Sequence, residues 1–70
     1  MLYQARRAYE IGSELGLDQY DEKSMLEAKT TLAQATNSQS GGGSSKAVTD
    51  YSRRTVALVT TAARAMYKAQ

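Results

Sequence analysis

Between Ser45 and Gln70 the chain carries two apolar or small-residue series running side by side. Val48, Tyr51, Thr55, Leu58, Ala62, Ala65 and Ala69 follow one another at alternating steps of three and four. Ser52, Val56, Val59, Ala63 and Met66 form a second series with helical spacing. With 3.6 residues per turn, two adjoining stripes merge into one wide face, which can meet two helices where a single seam meets one. The polar remainder of this stretch holds Asp50, Arg53, Arg54, Arg64 and Lys68. A chain built around such a helix must supply partners for both stripes.

Seventy residues allow one small domain, in a size range where a single core is barely sufficient. Cysteine is absent, so no disulfide reinforces it. Histidine is absent as well, which removes the usual zinc, copper and haem ligands; no metal and no cofactor is expected. Proline is missing and alanine is frequent, both favouring helix. The expected fold is all-α: a three-helix bundle made of a helical hairpin and a longer third helix. Self-association is the other way to cover the second stripe. Met1 stands directly before a helical pattern, which reads as a start placed on a fragment whose native leader was removed. No apolar run approaches the ~18 residues that a membrane-spanning helix requires.

The first helix is expected over about residues 2–15, with Ala5, Ala8, Gly12 and Leu15 as its seam and Tyr9 and Ile11 beside it. Gly12 inside a helix costs about 1 kcal/mol against alanine and so implies a packing reason. Gly16 stands where a left-handed residue ends a helix, and Leu17 can fold back as its hydrophobic contact. Asp21 is the expected cap of a second helix over about 21–36, carrying Met25, Ala28, Leu32 and Ala35, with Asn37 as its stop. Residues 37–45 read Asn-Ser-Gln-Ser-Gly-Gly-Gly-Ser-Ser, the composition of a flexible and engineered linker. The third helix is expected over about 46–69, capped by Ser45 or Thr49. It is longer than its partners, so it must overhang them or be covered by a second copy.

Charge is unevenly placed. The first sixteen residues balance, the second segment is acidic through Asp18, Asp21, Glu22 and Glu27, and the third is basic through Lys46, Arg53, Arg54, Arg64 and Lys68. An acidic helix beside a basic one suits an antiparallel pair. The overall charge of +2 is too small for nucleic-acid binding to be favoured, and the basic side has no aromatic to stack a base.

Catalytic chemistry finds little to build on. Serines and threonines have no histidine to act as base, and Glu10 and Glu14 sit one turn from Arg6 and Arg7 as ordinary surface ion pairs. Gly41–Gly43 lacks the strand and spacing of a phosphate loop. The chain is therefore expected not to be an enzyme. The expected partner is another protein or a second copy of the chain. The expected interaction surface is Val56, Val59, Ala63 and Met66 of the second stripe, with Tyr67 and Tyr3 near the chain ends. Tyr51, on the first stripe, is expected in the core.

From Leu15 to Ala35 the chain reads LGLDQYDEKSMLEAKTTLAQA. This resembles the alanine-rich helical modules of unknown function found in bacterial envelope lipoproteins, often ahead of an OmpA-like domain. Gly16, Tyr20, Met25, Ala28, Leu32 and Ala35 sit at matching positions. The chain departs from that pattern at Asp21-Glu22, where the family has Ala-Pro, at Leu17, where it has Ala, and in the glycine linker. The resemblance implies a periplasmic or outer-membrane-associated parent protein and a structural or protein-binding role; it brings no catalytic residue. The glycine linker and regular spacing support a second reading, a designed helical mini-protein made to bind or assemble.

Overall fold

The computed structural model describes residues 1–69. It is the expected all-α three-helix bundle: α1 spans Leu2–Glu14, α2 Glu22–Ser40 and α3 Ser45–Ala69, with a single 3₁₀ turn at Leu17–Gln19 between α1 and α2. The chain runs up, down and up, so α1 and α3 are parallel and α2 opposes both. At 1.5 Å per residue the helices are about 20, 28 and 37 Å long, and the body measures 42 × 17 × 15 Å. Both α1 and α2 pack mainly on α3 and touch each other less.

Gly12, Gly16 and Leu17 work together to end α1. Gly16 takes a left-handed conformation, φ 73°, and its N–H donates back to the carbonyl of Ser13 at 3.1 Å. That turn throws Leu17 back over the bundle, where it is 1% exposed. A Cβ on Gly12 would meet Met25 Cε at 3.1 Å, Leu17 Cδ1 at 3.2 Å and Val59 Cγ1 at 3.3 Å. The missing side chain at Gly12 is the space that the returning leucine and two other helices share. The penalty of a helical glycine is offset by that convergence. Leu15, expected on the seam, is 56% exposed. Leu17, reaching back from the turn, fills the core in its place.

Asp21 caps α2 as expected, accepting from the N–H of Ser24 at 3.1 Å and from its hydroxyl at 2.8 Å. These bonds, the hydroxyl first, hold its carboxyl below the ordinary value. The other end of α2 differs from expectation: the helix continues through Asn37 to Ser40, and the connection shrinks to Gly41–Ser44. Its geometry is specific. The N–H of Gly42 donates to Gln39 and that of Gly43 to Ser38, at 3.5 and 2.6 Å. Gly42 carries φ 75°, and a Cβ on Gly43 would stand 2.8 Å from the Ser38 carbonyl oxygen. This is the paired-bond termination that makes glycine the preferred residue past a helix end. The glycines thus close a tight hairpin, and no linker of nine residues exists. The cap of α3 is Ser44, whose hydroxyl oxygen accepts from the N–H of Ala47 at 3.1 Å, in place of Ser45 or Thr49.

The parts of the two α3 stripes nearest the bundle axis each have an occupant within the chain. The first faces α2: Thr55 Oγ1 lies 2.6 Å from Thr31 Oγ1, both residues buried. These hydroxyls also approach the carbonyls of Tyr51 and Ala28, at 2.9 and 3.1 Å. Two protons cannot fill three contacts, so one hydroxyl donates to its own helix and the other donates across. The second stripe faces α1, where Val59 meets Gly12. Val59, 8% exposed, joins Leu17, Met25, Ala28 and Ala62 in the core cluster. Tyr51 is half-buried, where core had been expected. The opposite charges of α2 and α3 produce one ion pair, Glu27 with Arg54 at 3.9 Å and largely exposed. Such a pair contributes little, and the buried threonines are the stronger register mark.

Ser52 introduces a weak point. It is fully buried, and its Oγ has no hydrogen-bond partner. Ala5 and Ala35, also at 0% exposure, lie at about the same height, so the helices close tightly around a hydroxyl that loses its water. An unpaired buried hydroxyl costs about 1–3 kcal/mol, and alanine is the better helix former. Ser52→Ala is therefore expected to stabilise the fold by about 1 kcal/mol. Urea denaturation checks this; a lower midpoint in the variant would show that the hydroxyl has a partner in solution.

Candidate interaction surface

On the side of α1 and α3 turned away from α2, no third helix covers the groove between them. Its composition follows from helix periodicity. Arg6 reaches Thr36 of α2 at 3.5 Å, and Tyr9 lines the groove between α1 and α2 with Met25 and Leu26. Ala8, Ile11 and Leu15 lie on the other edge of α1. On α3, Arg54 and Thr55 are turned to α2 and Val59 to α1, which leaves Val56, Ala63 and Tyr67 beyond Val59 on the open side. Gly12 beside Val59 fixes the relative height, so Ile11 is level with Leu58 and Leu15 with Ala62, while Tyr67 stands above the end of α1. Ile11 is 42% exposed, Leu15 56% and Tyr67 73%; Ala8, Val56 and Ala63 are half-buried between them. The result is an apolar strip along the upper half of the α1–α3 groove, with Tyr67 above the end of α1.

Charged residues border this strip on both sides. On the α1 edge stand Arg7, Glu10 and Glu14, with Arg7 Nη1 3.2 Å from Glu10 Oε2. On the α3 side the nearest charges by helix periodicity are Arg53 and Arg64, both exposed. An apolar centre with a charged rim is the general anatomy of a protein–protein contact.

The structure sorts the expected surface residues into three groups. Val56 and Tyr67 belong to the open face, and Ala63 lies on its floor, also touching the core cluster. Met66 is half-buried and packs against that same cluster at the top of the bundle. Val59 is corrected outright: it lies in the core, because α1 covers that part of the second stripe from within the chain. Tyr3 is 78% exposed but sits at the base of α1, at the opposite end of the bundle from Tyr67, so the two do not form one surface. Ile11 and Leu15 were missed as surface residues. Their signal is the spacing Ala8, Ile11, Leu15, a second seam displaced from Ala5 and Gly12.

The rest of the described surface offers little concave chemistry. Shallow open grooves lie at the base, around Met1, Leu2, Gln39 and Val48, and beside α2, around Glu27, Thr31, Gln34 and Arg54. No group of three or more His, Cys, Asp or Glu among the described residues stands close enough to hold a metal ion. No helix among them is long and apolar enough to cross a membrane. In comparisons with protein-family models, with curated proteins and with solved structures, nothing matches this chain.

Proposed function

We propose that this chain is a non-catalytic structural or protein-interaction module that docks another protein through the open α1–α3 face. The observation that carries the reading is that Ile11 and Leu15, both exposed, stand on the α1 side of a groove whose α3 side is Val56 and Ala63, with Tyr67 exposed on the same side of α3 above the end of α1. Exposing them singly would be ordinary; aligning them along two parallel helices gives a partner helix or sheet a groove to lie in. The non-catalytic part rests on placement. Glu10 and Glu14 stand on an open helix face, Glu10 beside Arg7, and a general acid works best in a cavity that excludes water. A bacterial cell-envelope setting for the parent protein is part of the proposal and rests on the resemblance of Leu15–Ala35 alone.

Site-specific photocrosslinking tests the docking face. A photoreactive side chain at Leu15 or Tyr67, introduced into the parent protein in its own cells, is expected to give discrete protein adducts. The same group at Lys23 or Thr30, exposed on α2, is expected to give none. Equal labelling from the two sets of positions would contradict the assignment.

A further inference from the structure

The bend between α2 and α3 depends on two glycines. The helical ladder of α2 still reaches Gly41, whose N–H donates to the carbonyl of Asn37 at 2.8 Å. The chain leaves the helix at Gly42, where φ is 75°, a conformation that strains any residue with a Cβ. At Gly43 a Cβ would stand 2.8 Å from the carbonyl oxygen of Ser38, a backbone atom that cannot swing aside. Across this bend the two helices keep one register. Ala28, Ala35, Gly42, Thr49, Val56 and Ala63 follow at steps of seven, as do Thr31, Ser38, Ser45, Ser52, Val59 and Met66. All are buried or half-buried except Gly42 and Ser45, at the bend itself. A seven-residue repeat carried through a turn is the repeat that one continuous helix would need.

We infer that the Gly42–Gly43 bend is a lock that keeps α3 on its own hairpin. Without it, α2 and α3 run on as one helix and α3 is exchanged with a second copy of the chain. Each α3 then lies on α1 and α2 of the other copy, antiparallel to α2 as it is within one chain. The contacts are the same ones, Thr55 on Thr31 and Val59 over Gly12. Exchange therefore sacrifices nothing in the core, and the balance between the two forms rests on the turn. Glycine is a poor helix former, so Gly41–Gly43 disfavour the straight form while Gly42 and Gly43 fit the bend. Both effects hold the wild-type chain closed. The exchange stands apart from the docking face, because the groove between α1 and α3 is rebuilt unchanged between copies.

Sedimentation velocity on the wild-type chain and on the double variant Gly42→Ala/Gly43→Ala tests this. Both are refolded from urea at high micromolar concentration, where exchange is free to occur. The expected result is a wild-type monomer and an elongated dimer of the variant, two bundles end to end, with its helical CD signal retained. A cysteine pair identifies the exchange in a chain that otherwise has no cysteine. Thr31→Cys and Thr55→Cys replace hydroxyls 2.6 Å apart. Oxidised in the glycine variant, the pair should link two chains on a non-reducing gel; in the wild-type background it should close within one. A variant that remains a folded monomer overturns the lock. So does one that loses its helicity at every concentration, because the exchanged form keeps the whole core. A variant dimer whose cysteines close within each chain overturns the exchange.

Discussion

Val59→Asp should abolish the folded state. The side chain lies 8% exposed in the core cluster, and Gly12 leaves it against two other helices with no cation beside it. Burying an unpaired carboxylate costs several kcal/mol even after relaxation, and a domain of this size has a total stability of roughly 3–10 kcal/mol. The penalty is thus of the order of the whole reserve. Circular dichroism at neutral pH is expected to show lost helicity and no cooperative thermal transition. A variant that melts like the wild type would place Val59 outside the core.

Leu17→Ala comes next in expected size. Leu17 is the largest fully buried side chain among the described residues, and it enters the core from a turn, with Gly12 supplying its space. Truncation removes apolar contact and leaves a cavity that helices fixed at both ends cannot easily close. Such changes cost about 2–5 kcal/mol. Taking ~3 kcal/mol, the melting temperature should fall by about 12–24 °C for a chain of this length. Thermal denaturation followed at 222 nm measures it. A fall of only a few degrees would mean that the Gly16 turn does not hold Leu17 in the core in solution. Leu15→Ala, removing an equal side chain from the open face, provides the comparison and is expected to change stability far less.

These two residues also mark where sequence reasoning succeeds and where it stops. The helix-ending role of Gly16 and the capping role of Asp21 were legible because each is local: left-handed backbone favours glycine, and an N-cap needs a side-chain acceptor three residues ahead of an N–H. The returning Leu17 was legible for the same reason. The choice between Leu15 and Leu17 for the core was not, since both suit a helix terminus and only the bundle decides which one points inward. Ser38–Ser40 looked like linker because small polar residues beside glycines carry little helical signal. They are helical because the left-handed residue that terminates α2 is Gly42, two positions past the helix. The width of the α3 face was readable from its stripes, while the identity of what covers each stripe was not. Periodicity reports that a surface is apolar; it contains no information on whether the cover is α1 or another chain. Ile11 and Leu15 escaped for the complementary reason, being apolar at helical spacing yet left outside once α3 and α2 had taken the rest of α1.

The central claim is that the boundary between core and docking face runs between Val59 and Ile11, both apolar and both carried by parallel, neighbouring helices. Urea denaturation of Val59→Asp beside Ile11→Asp tests that boundary most directly. The account predicts no cooperative transition for Val59→Asp, and a wild-type midpoint and slope for Ile11→Asp. Equal loss of the transition in both variants, or its survival in both, would contradict it.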